Sequence, residues 1–332
     1  MGLRKFGVIG AGAWGTALAN VAAANGAATV IWAREENVVH AINHAHRNPT
    51  FLPDIAINPH VRATGDLANA CNAEALLFVV PTQHVRAVAE QAAPHIRDGL
   101  PVVLCAKGIE LGTNALLSDV LREAVPQALP AVLSGPTFAD EVARGLPTAV
   151  TLACADRAIG EALVESLGSA TFRPYLSTDV VGAQIGGALK NVLAIAAGIV
   201  SGRGLGENAR AAIITRGLAE MLRFGESLGG KGVTLMGLSG LGDLVLTCGS
   251  AKSRNHTLGL ALARGEDAAD FLGARKSVAE GAYTAAAVVA IAAKRKIDVP
   301  ICRAIDAILN HGVGIEEAIE ALLNRPFRAE TG

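Results

Sequence analysis

Near its start, at residues 5–19, the chain reads Lys5-Phe-Gly-Val-Ile-Gly-Ala-Gly-Ala-Trp-Gly-Thr-Ala-Leu-Ala19. A short apolar run predicts a buried strand, and the Ala/Leu-rich stretch predicts the helix that follows it. Between them stands Gly10-x-Gly12-x-x-Gly15, a dinucleotide-binding fingerprint when a strand precedes it and a helix follows. Gly10 permits the tight turn, Gly12 lets a pyrophosphate approach the backbone, and Gly15 lets the helix pack on the strand. The free N–H groups of the helix N-terminus would attract the phosphates.

The end of the second predicted strand, residues 28–32, bears on which dinucleotide is preferred. An acidic residue there suits the ribose 2′-hydroxyl of NAD, whereas an arginine suits the 2′-phosphate of NADP. The chain continues Ala33-Arg34-Glu35-Glu36. Arg34 favours NADP, while Glu35 keeps NAD open. The alternative is that these are solvated charges at the start of a helix. We therefore expect NADP or NAD as the cofactor, with NADP preferred.

Length and composition restrict the class of protein. A chain of 332 residues predicts two domains or one large one. The net charge of −1, with no basic block, gives no electrostatic support to nucleic-acid binding. The longest apolar runs, 192–200 and 285–293, are shorter than a membrane span requires, so we expect no membrane span. We also expect no secretory segment at the start, because Met1–Lys5 leads directly into the first predicted strand. The five cysteines lack metal-ligand spacing, which predicts reduced core thiols in a cytoplasmic protein and no metal site.

Several further apolar runs predict strands whose carboxyl ends carry polar residues; the runs are 75–80, 101–106, 131–133, 147–153 and 171–175. Ligands of α/β sheets bind at this edge. His84 follows the first of these runs and is a catalytic candidate, or simply a residue of the next helix's first turn. Lys107 follows the second run directly. Thr137 follows the third, where its hydroxyl is expected either to cap a helix or to contact a ligand.

From Ser177 onward the pattern becomes helical, which predicts a dinucleotide-binding domain over 1–178 and a helical domain over 179–332. A long apolar helix to about residue 199 contains Gly186-Gly187, which predicts close approach of another backbone. Lys190 lies in the same helix. If it is buried, desolvation lowers its pKa and makes it an acid/base candidate; the alternative is a lysine reaching out to solvent. Asp243, after a Gly-rich turn, is either functional or a helix cap.

Together, these signals resemble the bacterial NAD(P)-dependent sn-glycerol-3-phosphate dehydrogenases. The motifs that carry the resemblance lie in order along nearly the whole chain: Gly10-Ala-Gly-Ala-Trp-Gly-Thr-Ala-Leu-Ala19, Phe51-Leu-Pro-Asp54, Ala106-Lys-Gly-Ile-Glu110, Ser134-Gly-Pro-Thr-Phe-Ala139, Gly186-Gly-Ala-Leu-Lys-Asn-Val192, Thr215-Arg-Gly-Leu-Ala-Glu220, Gly240-Leu-Gly-Asp-Leu-Val-Leu-Thr-Cys248 and Ser253-Arg-Asn255. The resemblance implies an α/β protein with an N-terminal Rossmann-type parallel sheet followed by an all-helical domain. It also implies reversible hydride transfer between NAD(P)H and dihydroxyacetone phosphate, giving sn-glycerol 3-phosphate, a phospholipid precursor.

The resemblance also implies roles for individual residues. Lys190 is the expected acid/base for the substrate carbonyl, with Lys107 and Asp243 completing the catalytic set. The expected substrate contacts are Lys107, Gly135, Thr137, Lys190, Asp243, Ser253, Arg254 and Asn255. The expected cofactor contacts are Gly10, Gly12, Ala13, Trp14, Gly15, Arg34, Glu35, Lys107, Ala139, Arg254, Val278 and Glu280. Two positions depart from the family pattern, because many relatives carry serine at Ala13 and a basic pair where this chain has Arg34-Glu35.

Two alternatives stay open at this point. One is a dehydrogenase of the same design that acts on a β-hydroxy acid or a ketopantoate-like substrate, which would need a carboxylate site in place of Ser253-Arg254-Asn255. The other is an inert dinucleotide-binding sensor, which should have lost Lys190 or Asp243. The expected partner is a small phosphate substrate, with no nucleic acid and no membrane span. A homodimer is the candidate assembly.

Overall fold

The computed structural model describes residues 2–273, 279–326 and 329. The expected cofactor contact Val278 lies outside these residues. The sheet domain comes first along the chain, and its strands are β1 (Lys5–Ile9), β2 (Ala28–Trp32), β3 (Arg47–Asn48), β4 (Leu52–Ala56), β5 (Val61–Thr64), β6 (Ala75–Phe78), β7 (Pro101–Leu104), β8 (Leu129–Ser134), β9 (Thr148–Cys154) and β10 (Phe172–Ser177).

Eight strands form one sheet in the order β10-β9-β8-β7-β6-β1-β2-β5, while β3 and β4 form a separate antiparallel pair. Neighbouring strands are parallel except β8 and β9, which are antiparallel. The strand order reverses between β1 and β6, and in open α/β sheets ligands bind outside the carboxyl ends of the strands at such a switch point. The predicted glycine turn follows β1 and therefore lies at this point. The sequence prediction of a mainly parallel Rossmann-type sheet is confirmed.

Helices cover the sheet on both faces and lie between consecutive strands. They are α1 (Ala13–Ala24), α2 (Glu36–Ala45), α3 (Leu67–Cys71), α4 (Val85–Ala92), α5 (Leu117–Ala124), α6 (Ala139–Ala143) and α7 (Arg157–Leu167), with 3-10 turns at Thr82–His84 and Ala93–His95. Two buried apolar clusters, one for each face of the sheet, hold these layers together.

The described residues after Ser177 form no strand, as predicted. Their helices are α8 (Val180–Gly202), α9 (Gly206–Ser227), α10 (Gly232–Leu235), α11 (Asp243–Cys248), α12 (Arg254–Ala263), α13 (Ala268–Gly273), α14 (Glu280–Arg295), α15 (Pro300–Asn310) and α16 (Ile315–Leu323), with a π-helical turn over Leu238–Gly242. A third buried apolar cluster forms the core of this helical domain.

Helix α8 is the central element of that core. Asp179 caps it by accepting a hydrogen bond from the N–H of Gly182 at 2.8 Å. A Cβ atom at Gly186 would lie 2.5 Å from the carbonyl oxygen of Ser239, which confirms the predicted close backbone approach. By length and composition alone α8 could cross a membrane, but 89% of its apolar window is buried inside the protein, as in a core helix. The sequence expectation missed this length because it counted only uninterrupted apolar runs.

The five cysteines are buried free thiols, as predicted. Burial raises the pKa of the Cys71 thiol to about 11 and that of Cys248 to about 12. Because the thiolate is the reactive form, these two side chains are chemically inert near neutral pH.

Candidate active site

The glycine turn after β1 has the shape that its spacing predicts. Gly10 has a φ of +112°, a conformation that residues with a Cβ rarely adopt. A Cβ at Gly15 would lie 1.9 Å from the carbonyl oxygen of Gly10, so only glycine lets α1 pack this closely on β1. Gly12 differs from both, because nothing lies within 4 Å of its Cβ position and its φ is −66°. The glycine at position 12 therefore leaves space on the open side of the turn.

The N-terminus of α1 faces that space without a capping side chain, since Gly12 is the N-cap. The backbone N–H groups of Ala13 and Trp14 have no acceptor among the described residues. Nearby, the side chain of Arg34 is 82% exposed and lies 3.2 Å from the Glu35 carboxylate. The residues at the end of β2 thus combine a solvated cation with a carboxylate, and this geometry does not choose between NAD and NADP.

The carboxyl ends of β7 and β8 bring Lys107 and the Gly135–Thr137 turn together. Lys107 Nζ donates to the Gly135 carbonyl at 2.8 Å and to Thr137 Oγ1 at 3.4 Å. Gly135 has a φ of +152°, and a Cβ there would lie 2.9 Å from Val150 Cα, which explains the glycine. The expectation that Thr137 could cap a helix is wrong. Helix α6 begins two residues later and its N-cap is Phe138. The Thr137 hydroxyl instead accepts from Lys107 Nζ and donates to the Gly135 carbonyl.

Lys190 and Lys107 meet on one buried carboxylate. Asp243 Oδ1 lies 3.0 Å from Lys190 Nζ, and Asp243 Oδ2 lies 2.7 Å from Lys107 Nζ. We call these three residues the ionic triad. Asp243 is 0% exposed and Lys190 is 7% exposed, so neither the helix-cap alternative for Asp243 nor the solvent-reaching alternative for Lys190 holds. Two cations on one desolvated carboxylate leave a net positive charge that an anionic group can neutralise.

Burial controls the protonation of Lys190. Desolvation lowers the pKa of this ammonium to about 8, although the neighbouring Asp243 carboxylate opposes the shift and Lys107 adds to it. A pKa near the working pH lets one group hold and release a proton with little cost. Thr247, one helical turn after Asp243 on α11, accepts a hydrogen bond from Lys190 Nζ at 2.9 Å and donates to Asp243 Oδ1 at 3.2 Å.

A chain of amide hydrogen bonds connects the triad with α12 and α14. Asn191 Nδ2 donates to the Lys107 carbonyl at 3.1 Å, and Asn255 Nδ2 donates to Asn191 Oδ1 at 2.9 Å. Asn255 Oδ1 accepts from the N–H of Gly281 at 3.0 Å. Hydrogen bonds between α8, α12 and α14 therefore fix the orientation of Asn191 and of Asn255, one of the expected phosphate contacts.

The other two expected phosphate contacts lie at the N-terminus of α12. Ser253 is the N-cap and its hydroxyl oxygen accepts from the N–H of His256 at 3.2 Å, which leaves its own proton to donate. Arg254 is exposed and its guanidinium makes no hydrogen bond to a described residue. Both groups therefore retain donors for an anion beside the triad.

Glu280, the first residue of α14, reaches back to the sheet. Its Oε1 accepts from the N–H of Thr82 at 3.0 Å, in the 3-10 turn that follows β6. Its Oε2 is buried and has no hydrogen-bond partner among the described residues. Burial raises the pKa of this carboxyl. The indole N–H of Trp14 is likewise buried without a partner. The unpartnered Glu280 Oε2 and Trp14 N–H, together with the open space at Gly12, suit a dinucleotide bound across the carboxyl ends of β1 and β6.

Sequence reasoning found the triad residues but not all of their partners. Thr247 stands in a quoted motif, and its spacing of four from Asp243 on a predicted helix was the available signal. Asn191 stands beside Lys190 in another quoted motif, and no sequence signal singled out Thr82. Ala139 begins α6, which packs on α1. His84 is exposed in the turn before α4, outside the ionic triad.

Comparison with known proteins agrees with this arrangement. The family model described as NAD-dependent glycerol-3-phosphate dehydrogenase N-terminus matches residues 5–160, and the model for the C-terminus of the same family matches residues 179–320. The chain belongs to the NAD-dependent glycerol-3-phosphate dehydrogenase family. A glycerol-3-phosphate dehydrogenase (NAD(P)+) of Parvibaculum lavamentivorans is 58% identical over 328 residues, which is 99% of this chain and 98% of that protein.

Solved structures extend the similarity to the whole fold. The glycerol-3-phosphate dehydrogenase of Coxiella burnetii is 38% identical with a TM-score of 0.93, and the match covers 97% of this chain and 99% of that one. A ketopantoate reductase from Ralstonia eutropha is 19% identical with a TM-score of 0.61, covering 92% of this chain and 97% of that one. The second likeness concerns the fold alone, so the ketopantoate-like alternative shares the architecture of this family without gaining support for its chemistry.

Proposed function

We propose that the chain reduces dihydroxyacetone phosphate to sn-glycerol 3-phosphate, and catalyses the reverse oxidation, with NAD(P)H as the hydride source. The ionic triad is the observation that carries the proposal. Lys190 is held protonated by Asp243 yet has a pKa of about 8, so it can give its proton to a ketone oxygen and take it back. Family membership and relatives with this activity over nearly full length support the same assignment.

In the proposed mechanism the protein stabilises charge that develops on the carbonyl oxygen. A reduced dinucleotide held by the glycine turn and Glu280 would supply the hydride for the carbonyl carbon. The Lys190 ammonium faces the oxygen, stabilises its growing negative charge and donates a proton, becoming a neutral amine. Asp243 holds the ammonium in place and favours its charged form, and Lys107 fixes the other carboxylate oxygen. In the oxidation direction the neutral Lys190 accepts the hydroxyl proton.

Substrate choice rests on the phosphate. We assign the phosphate to Ser253, Arg254 and Asn255, because charge-assisted donors from an arginine fork suit this dianion. Gly135 and Thr137 complete the substrate side through the turn that binds Lys107. Binding energy from the phosphate then holds the remote carbonyl in place for reaction.

The assignment for the cofactor follows the switch point of the sheet. The pyrophosphate would be held by the glycine turn and the start of α1, through Gly10, Gly12, Ala13, Trp14 and Gly15. The adenosine ribose would be contacted by Arg34 and Glu35. The nicotinamide end would be contacted by Lys107, Ala139, Arg254 and Glu280. Val278, the remaining expected cofactor contact, is outside the described residues. The domain division proposed for these roles is 1–178 and 179–332.

The direct test is oxidation of NADPH, and separately of NADH, by the purified protein with dihydroxyacetone phosphate. We expect turnover with this ketone and none with dihydroxyacetone, because only the phosphorylated substrate is anchored. Phosphate esters should compete with dihydroxyacetone phosphate for the enzyme, and β-hydroxy carboxylates should not. No turnover by folded protein with either cofactor would refute the proposal and favour the related dehydrogenases, and ketopantoate is the first substrate to try.

Three further proposals concern the cell. The buried free thiols suit a reducing cytoplasm, and we propose that the product supplies glycerol phosphate for phospholipid synthesis there. A homodimer is the proposed assembly. Cell fractionation tests the location, glycerol auxotrophy of a deletion strain tests the supply of product, and size-exclusion chromatography with light scattering tests the assembly.

The hydroxyl of Thr247 should tune the acid/base residue. Thr247→Val removes an acceptor from the charged form of Lys190, so the alkaline limb of kcat/KM for ketone reduction should move from near pH 8 to lower pH by about one unit. The measurement is the pH profile of kcat/KM, which reports groups of the free enzyme. Thr247→Ser keeps the hydroxyl and should restore the profile. An unshifted limb in the valine variant would show that Thr247 does not influence Lys190.

Cofactor preference should respond to the charges after β2. Arg34→Ala removes the cation expected to face a 2′-phosphate, so the ratio of kcat/KM for NADPH to that for NADH should fall at least about tenfold. Glu35→Gln should raise the same ratio, because it removes a like charge from the 2′-phosphate. Steady-state kinetics with both cofactors checks both variants. If the ratio is unchanged in Arg34→Ala, this arginine does not read the 2′-phosphate.

A further inference from the structure

Asn48, in the short strand β3, reaches across to the glycine turn. Its side chain is 0% exposed, and its Nδ2 donates to the Ala11 carbonyl at 2.8 Å and to Thr16 Oγ1 at 2.9 Å. Its Oδ1 accepts from the N–H of Phe51 at 3.2 Å. Buried amides that use both donors and an acceptor are firmly oriented, so Asn48 is a fixed point between the 46–58 segment and the turn.

The bond to Ala11 determines where the next N–H points. The described peptide bonds are all trans, and in a trans peptide the C=O and the following N–H point in opposite directions. With its carbonyl directed inward to Asn48, the Ala11–Gly12 peptide directs the Gly12 N–H to the opposite side. That N–H has no acceptor among the described residues, and the space around Gly12 is open.

The backbone around residues 46–48 is irregular and positions Asn48 beside the glycine turn. His46, the C-cap that follows α2, has the left-handed conformation with φ of 49°. The pairing of β3 with β4 then shifts register between Arg47 and Asn48. An irregular backbone costs free energy, and here it places one buried amide against the glycine turn.

We infer that Asn48 is a positioning residue for the cofactor, which holds the Ala11–Gly12 peptide so that the Gly12 N–H is directed at the pyrophosphate before the cofactor arrives. The inference rests on the proposed assignment of the glycine turn to the pyrophosphate. Preorganised donors bind an anion without a reorganisation cost, so loss of the brace weakens cofactor binding without changing the chemistry at the triad.

The experiment measures NADPH dissociation constants by nucleotide fluorescence, together with kcat at saturating NADPH. Asn48→Ala should raise the dissociation constant about tenfold or more, with kcat within about threefold of wild type. Asn48→Asp keeps the size and the acceptor but loses the donors, so it should weaken binding at least as much. Asn20→Ala is the matched control, because Asn20 holds the same 46–58 segment through Ala56 O and the Asn58 N–H without touching Ala11. It should bind within about twofold of wild type.

A second substitution separates this inference from the assignment beneath it. Gly12→Val fits the free protein but fills the space of the pyrophosphate, so it should abolish NADPH binding while the melting temperature is retained. If Gly12→Val binds normally, the turn is not the cofactor site and the inference falls with it. If Gly12→Val fails to bind but Asn48→Ala binds as wild type does, the inference alone is overturned. Equal weakening by Asn20→Ala and Asn48→Ala would also overturn it, since loosening of the segment would then suffice.

Should Asn48→Ala not fold, Thr16→Val tests the same contact. Thr16 Oγ1 accepts from Asn48 and lies 3.4 Å from the Ala11 carbonyl. Its loss should weaken NADPH binding about threefold if the brace orients the turn. An unchanged dissociation constant for Thr16→Val would contradict the inference.

Discussion

Lys190→Ala is expected to lower turnover at least about a hundredfold while cofactor affinity stays within about threefold of wild type, since positioned acid/base groups typically contribute that much. The substitution removes an ammonium that donates to both Asp243 and Thr247. It leaves the glycine turn and Glu280 untouched. Steady-state kinetics with saturating dihydroxyacetone phosphate and titration of NADPH measure the two effects separately.

Two control variants accompany this prediction. Lys190→Met keeps an apolar chain of similar length in the buried position, so it should be as inactive as Lys190→Ala but better packed. Lys231→Ala removes a lysine from an exposed position and should retain wild-type turnover. Thermal melts of all three distinguish lost chemistry from a disrupted α8. Turnover close to wild type in folded Lys190→Ala would remove Lys190 from its role.

Asp243→Asn should lower kcat/KM for ketone reduction about tenfold at pH 7 and about fiftyfold at pH 8, and this deficit should narrow as the pH falls. The buried carboxylate neutralises two ammonium groups, and loss of one partner of a buried ion pair costs about 3–5 kcal/mol. Part of that cost appears as a pKa of Lys190 about two units below its present value of about 8. Lys190 in the variant is then largely neutral at pH 7.5 and cannot donate a proton.

The pH profile gives this second prediction its sharpest test. Wild-type Lys190 is mostly protonated below pH 8, so kcat/KM of the wild-type enzyme should change little as the pH is lowered further. In the variant, kcat/KM should rise about tenfold for each unit that the pH falls, until the lowered pKa of Lys190 is reached. A deficit that is constant from pH 6 to pH 8 would mean that Asp243 acts by geometry alone. Melting temperatures should fall for Asp243→Asn, and the kinetics are to be measured well below the transition.

Features encoded over short distances could be predicted from the sequence. The turn Gly10-x-Gly12-x-x-Gly15 lies between β1 and α1 because its requirements, a positive φ and a close strand, are met within a dozen residues. The cap of α8 is a similarly local feature, since Asp179 accepts from the N–H of Gly182 three residues later. Lys190 and Asp243 were identifiable as candidates because charged residues are rare in such apolar surroundings.

Contacts between distant segments were decided by the tertiary structure. Asp243 and Thr137 could each be explained locally as a helix cap, and neither is one. Both side chains instead bond to Lys107, which is 136 residues from Asp243 and 30 residues from Thr137. The bond from Glu280 to the Thr82 N–H spans 198 residues.

By itself, then, the sequence determined seven of the eight strands of the main sheet, the helical second part of the chain, the glycine turn and the identity of the candidate acid. Three contacts were decided only by the tertiary structure. The Asp243 carboxylate pairs with both Lys107 and Lys190, and Thr247 contacts both Lys190 and Asp243. Asn48 donates to the Ala11 carbonyl. The physical reason is range. Backbone preferences and helix periodicity act over a few residues, whereas the protonation and orientation of a buried group depend on whichever charges and donors packing brings within about 3 Å.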